Sequence, residues 1–126
     1  MDYSEYLVDY YLHPRNKGKI DKPSARAVKS NPLCGDTVSV ELRISKTGKV
    51  ETARFNGTGC AISSASASIL MEHFEGKSTR EIKRADGKKV KALLGIEISP
   101  AREKCALVAL DALKMAVSDY EKKRGK

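Results

Sequence analysis

The chain has 126 residues, 40% of them hydrophobic and 32% charged, which suits a single soluble globular domain over residues 1–126 with a real core. No stretch reaches the apolar length of a membrane span. Met1-Asp2-Tyr3-Ser4-Glu5 has no basic or apolar region of a signal peptide, so the cytoplasm is the expected compartment. The net charge is +8, yet the basic residues read as scattered, with one dense run at Lys122-Lys123-Arg124-Gly125-Lys126. Without zinc-finger spacing or an aromatic-rich RNA-binding strand, this argues against a specific nucleic-acid role. A basic surface also suits an acidic protein partner.

Apolar or aromatic side chains at Tyr3, Tyr6, Leu7, Tyr10 and Tyr11 predict a helix over Tyr3–Leu12. Pro14 ends it, and His13 to Gly18 reads as a loop. Ala25–Ser30 is expected to form a short edge strand. Val38, Val40, Leu42 and Ile44 alternate with polar residues, which predicts a half-buried strand over Thr37–Ile44. Lys46-Thr47-Gly48 supplies a turn, and Val50–Phe55 returns as the hairpin partner. The period then changes. A helix is expected over Ala61–Phe74, stopped by Gly76. Ser78 with Glu81 forms a capping-box pattern for a short helix through Ala85. Lys88–Leu94 forms another, ended by Gly95. Ser99 and Pro100 open a long final helix with an apolar stripe at Ala106, Leu110, Leu113, Val117 and Tyr120. The expected class is α+β, a small antiparallel three-stranded sheet with helices on one face.

Three cysteines carry the chemical interest. Cys34 lies in Asn31-Pro32-Leu33-Cys34-Gly35-Asp36, Cys60 follows Gly57-Thr58-Gly59, and Cys105 ends Pro100-Ala101-Arg102-Glu103-Lys104-Cys105. An odd cysteine count in a reducing compartment argues against a disulfide framework. In an extended segment Cys34 and Asp36 face the same side, and Gly35 lets the backbone bend between them. Cys60 sits at a helix N-terminus, whose N–H groups favour a thiolate. Gly59 permits close approach of a bulky inorganic group. Arg102 and Lys104 are cations beside Cys105 and favour its thiolate. Three thiolates and one carboxylate form a donor set for zinc or an iron–sulfur cluster. Cysteine is equally a small buried hydrophobe, so the spacing alone leaves both readings open. His13 reads as a loop-shaping residue and His73 as a solvated or capping one. No catalytic triad or P-loop is present, and the expectation is a scaffold or carrier rather than an enzyme.

With Asp9-Tyr10-Tyr11-Leu12-His13-Pro14-Arg15-Asn16-Lys17-Gly18 and Gly57-Thr58-Gly59-Cys60-Ala61-Ile62-Ser63, these segments make four ordered motifs. Over nearly its whole length the chain resembles the U-type iron–sulfur cluster assembly scaffolds, which comprise IscU, SufU and the N-terminal domain of NifU. The resemblance implies a scaffold that accepts sulfur from a pyridoxal-phosphate cysteine desulfurase, takes up iron, holds a labile [2Fe-2S] cluster and passes it to acceptor proteins. It implies Cys34, Cys60 and Cys105 as ligands and persulfide acceptors, with Asp36 as fourth ligand or labilising group. The scaffold would act as a monomer or a cluster-bridged dimer.

Two departures stand out. Lys104 occupies the place of the histidine usual in IscU, and Ile98-Ser99-Pro100-Ala101-Arg102 does not match the chaperone-recognised Leu-Pro-Pro-Val-Lys segment. The Pro-x-Arg-x-Lys-Cys pattern is closer to SufU, yet only 44 residues separate Cys60 from Cys105, without the SufU insertion of roughly twenty residues. SufU-like members imply the alternative function: a zinc-bound sulfur acceptor that stimulates the desulfurase.

Overall fold

A computed structural model describes residues 5–31, 35–95 and 98–124. Eight elements follow in order: α1 (Glu5–Leu12), β1 (Ala25–Asn31), β2 (Asp36–Ile44), β3 (Val50–Thr58), α2 (Ala61–Phe74), α3 (Thr79–Arg84), α4 (Gly87–Leu94) and α5 (Pro100–Arg124). The class is α+β, with one antiparallel sheet in the order β1-β2-β3.

The central strand explains the layering. Val38, Val40, Leu42 and Ile44 are all buried on one face of β2, as strict alternation requires of a strand with one covered side. Val40 stands between Ala27 of β1 and Phe55 of β3. Helix α5 lies across β1 and β2, α2 packs on β3 and α5, and α1 packs on α2.

The outer edge of β3 is covered by a segment that the sequence presents as a plain loop. Gly18 N–H donates to Phe55 C=O at 2.9 Å, and Phe55 N–H donates to Asn16 C=O at 3.0 Å. Asn16 takes a positive φ of 65°, which asparagine tolerates better than most residues. This covering pairs part of an otherwise open strand edge.

β3 runs to Thr58, three residues past the expected end at Phe55. Asn56 and Gly57 have weak strand propensity, but Gly57 pairs with Val38 and Thr58 with Thr37. Gly57 is required there: a Cβ would lie 2.0 Å from the Thr37 carbonyl oxygen. The extension carries the start of α2 to the start of β2.

Helix α2 has little amphipathic character, because Ile62, Ser63, Ala65, Ser66, Ala67, Ser68, Ile69, Leu70, Met71 and Phe74 are all buried. Its small residues permit close helix contact, and the Ser66 hydroxyl donates to the Ala106 carbonyl of α5 at 2.6 Å. The expected α5 stripe is buried except for the half-buried Tyr120. Cys105, Val108, Ala109, Ala112 and Ala116 are buried too, since α5 faces both sheet and helices.

Smaller expectations are adjusted. The described part of α1 starts at Glu5, and the predicted Tyr3 and Ser4 lie outside the described residues. Only Leu7 is buried there, whereas Tyr6, Val8, Tyr11 and Leu12 are exposed. Ser78 is the N-cap of α3 by position, but its side chain makes no capping hydrogen bond. Helix α4 begins one residue early, at Gly87, because Asp86 caps it by accepting from Lys89 N–H. Gly95 ends it in the left-handed conformation, with φ of 71°. Among the described residues no helix is long and apolar enough to cross a membrane.

Candidate metal centre

Asp36 opens β2, Cys60 is the N-cap of α2, and Cys105 lies in the second turn of α5. One ligand atom from each falls within 4.8 Å of the other two. The 23 residues between Asp36 and Cys60 leave and return along a β-hairpin, while the α2–α5 contact brings in Cys105. Cys34 lies outside the described residues.

The carboxylate of Asp36 is the most demanding group. It is 1% exposed, and among the described residues no lysine, arginine or histidine lies within ion-pairing distance of it. Its Oδ1 accepts from Cys60 N–H at 3.0 Å, and its Oδ2 stands 4.0 Å from Cys60 Sγ. A buried carboxylate without a cation is costly. Next to two cysteine sulfurs, it is suited to a bound cation. The site thus fits a metal, with sulfur and oxygen donors that admit either zinc or iron.

Backbone geometry holds this arrangement. Gly35 has φ of 72°, a left-handed conformation natural to glycine, and its N–H donates to Asn31 C=O at 2.9 Å. Asn31 pairs with Asp36 across the hairpin. At Gly59 a Cβ would lie 2.3 Å from Ser63 Oγ and 2.7 Å from Asp36 Oδ1. Ser63 is a residue the sequence reading did not single out. Its hydroxyl donates to Cys60 C=O at 3.1 Å and stands 4.0 Å from Cys60 Sγ. The serine three residues after the N-cap was the available signal, hidden in a run that reads only as small residues.

The two described cysteines differ. Cys60 is half-buried, whereas Cys105 is fully enclosed in the hydrophobic core. Of the two readings that the spacing left open, Cys105 thus has the burial of a core side chain while its sulfur still lies in the cluster. Two packed faces of α5 enclose it despite its charged sequence neighbours. Arg102 is exposed. Lys104 is exposed too and lines a 340 Å³ cavity with Lys29, Ser30 and Asn31 of β1 and Leu107, Val108 and Asp111 of α5.

Neither histidine belongs to the cluster. His73, expected as a solvated or capping side chain, is not fully solvated. It is half-buried against Phe74, with Nε2 buried and without a hydrogen-bond partner among the described residues. Burial first, then the charges of Lys77 and Lys89, hold its pKa below the ordinary imidazole value.

Known proteins share this chain's sequence pattern and fold. The family model for the NifU-like N-terminal domain matches residues 2–126. The iron–sulfur cluster assembly scaffold protein IscU of Haemophilus influenzae is 34% identical over 128 residues, covering 99% of this chain and 100% of the relative. IscU of Escherichia coli K12 is 34% identical over 127 residues, 98% of each chain. Among solved structures, the SUF-system protein FiSufU of Fervidobacterium islandicum AW-1 superposes with a TM-score of 0.78 at 27% identity, covering 91% of this chain and 96% of that one. A NifU-like N-terminal protein of Brucella abortus gives 0.81 at 22% identity, covering 96% and 95%; at that identity the likeness concerns the fold.

Proposed function

Because the chain belongs to the NifU-like N-terminal domain family, we propose that it is a scaffold for iron–sulfur cluster assembly of the IscU type, folded as one domain over residues 1–126. The observation that carries this reading is the buried Asp36 carboxylate, which has no cationic partner among the described residues and lies beside Cys60 and Cys105. Cys34 joins them as fourth ligand. It precedes Asp36 by two residues in the sequence. The cargo is a [2Fe-2S] cluster.

Sulfur arrives as a persulfide on a cysteine desulfurase. A scaffold thiolate attacks its outer sulfur, a new S–S bond forms, and the desulfurase cysteine leaves as a thiolate. Cys60 is half-buried rather than enclosed, so it is partly open to such a partner. The Asp36 carboxylate is a harder, weaker donor to the cluster than a thiolate, which suits release to acceptor proteins.

The resemblance of the Pro-x-Arg-x-Lys-Cys pattern to SufU implies a second reading, in which the same four residues hold zinc and the chain is a sulfur acceptor that stimulates the desulfurase. Protein purified without oxygen, then supplied with ferrous iron, cysteine, a desulfurase and a thiol reductant that takes persulfide sulfur to sulfide, separates the two. Visible charge-transfer bands with matched iron and sulfide, lost in Cys34→Ala, Cys60→Ala and Cys105→Ala, are expected. Asp36→Ala should hold the cluster longer against an acceptor. Tightly held zinc, no cluster and a faster desulfurase would replace the scaffold reading with the acceptor one.

A further inference from the structure

The positive charge is not evenly spread. Residues 77–91 contain seven lysines and arginines against two acidic residues, a net +5 of the chain's +8. The fold gathers part of this charge around an open cleft of about 430 Å³, whose lining includes Ser78, Arg80, Glu81, Arg84 and Lys89, with Phe74 at the base. Nearby, Lys83 and Lys91 pair with Glu121 and Glu103. Among the described residues Arg80, Arg84 and Lys89 have no ion-pair partner. Three exposed, uncompensated cations thus share one concavity.

The cleft is remote from the metal centre. Phe74 is the last residue of α2 and Cys60 its N-cap. A helix of 14 residues is about 21 Å long. A molecule held at the cleft would leave the Asp36–Cys60–Cys105 end open.

We propose that this cleft is a docking site for an acidic segment of a partner protein. Its guanidinium groups match carboxylates, which arginine can bind in bidentate fashion. The cations are exposed rather than buried, which suits a protein surface contact better than an enclosed small-molecule pocket. Glu81 and Ser78 distinguish the occupant further. An acidic polypeptide brings backbone N–H donors for Glu81 along with its carboxylates, whereas a phosphodiester backbone brings acceptors alone. The aromatic at the base, Phe74, is 1% exposed and offers no stacking surface for nucleobases. The inference does not depend on what the metal centre binds.

The test uses the full chain without added iron or sulfide. The probe is a fluorescein-labelled peptide of alternating Asp-Glu-Leu repeats, followed by anisotropy across a salt series. The triple variant Arg80→Glu/Arg84→Glu/Lys89→Glu is compared with Lys19→Glu/Lys22→Glu/Lys29→Glu, which makes the same charge change at exposed sites that do not line the cleft. Binding that weakens with salt, falls about tenfold or more in the cleft variant and changes about twofold or less in the other is expected. Equal losses in both variants would reduce the effect to net charge and overturn the proposal. So would absence of peptide binding to the unaltered chain. A single-stranded oligonucleotide of equal charge that binds as tightly and displaces the peptide would overturn it in favour of a polyanion surface. Far-ultraviolet circular dichroism verifies that both variants fold. If the cleft variant does not, Arg84→Gln alone gives the readout, with weaker peptide binding expected and unchanged binding overturning the proposal.

Discussion

At Gly59 an added Cβ would meet both Ser63 Oγ and Asp36 Oδ1 well inside contact distance. Both neighbours are buried, so neither can move freely aside. Gly59→Ala should displace the carboxylate from the Cys60 N–H, costing about 1–3 kcal/mol in urea unfolding. It should also weaken retention of zinc, which needs all four donors, read on cluster-free protein by competition with a chelator; unchanged retention would show that the carboxylate position is not critical. Glu75 supplies a second test at this scale. Burial raises its pKa, but hydrogen bonds from Ala53 N–H, Asn16 and Arg54, with the Arg54 charge, outweigh it and hold the carboxyl below its ordinary value of 4.5. The unfolded chain therefore binds more protons than the folded one across that interval. Stability from Glu75 is fully present above the ordinary carboxylate value and is lost as pH falls through the lower folded value. The urea midpoints of the unaltered chain and Glu75→Gln should differ near neutrality and converge in acid. A gap independent of pH would contradict this linkage.

Between elements, the α2–α5 contact sets how close Cys60 comes to Cys105. Small side chains make it tight, and the Ser66–Ala106 hydrogen bond crosses it one residue after Cys105. Ser66→Ala removes a single buried hydrogen bond and should cost about 1 kcal/mol with metal binding retained. Ser66→Leu adds volume to a packed contact, costs about 1–3 kcal/mol, and should weaken zinc binding as it separates the helices. Thermal melts and competitive zinc titrations of the pair read this difference. Equal zinc affinity in both variants would mean that the helix spacing does not control the site.

For the whole molecule, the described donors come from β2, α2 and α5, so the site exists only when these elements are assembled. Metal therefore binds the folded state and stabilises it by linkage. Free zinc at about a hundredfold excess over Kd corresponds to about 2.7 kcal/mol, and thus a rise in Tm of about 8 °C for a domain of this size. A chelator should reverse the rise, and Cys60→Ala should abolish it. A rise of equal size in Cys60→Ala would place the zinc elsewhere. The charge distribution also belongs to this scale, since the concentration over residues 77–91 acquires its cleft only when α3 and α4 pack at the end of α2.

Local pattern determined much of this protein from the chain alone. Alternation over Val38 to Ile44 specified the central strand, because a half-covered sheet buries every second residue. Pro14, Gly95 and Pro100 marked helix ends through backbone stereochemistry that needs no tertiary partner. The four motifs pointed to the family, the cysteines and Asp36 before any distance was known. Tertiary structure decided what depends on residues distant in sequence. Strand pairing overrode the weak propensity of Asn56 and Gly57, carried β3 to Thr58 and so delivered Cys60 to Asp36. Packing on two faces of α5 enclosed Cys105, although Arg102 and Lys104 make its surroundings look exposed. Ser63 gained its place beside Cys60 through the turn of α2. Periodicity and capping act within a few residues, whereas burial and the meeting of positions 36, 60 and 105 arise only when sheet and helices close around a common core.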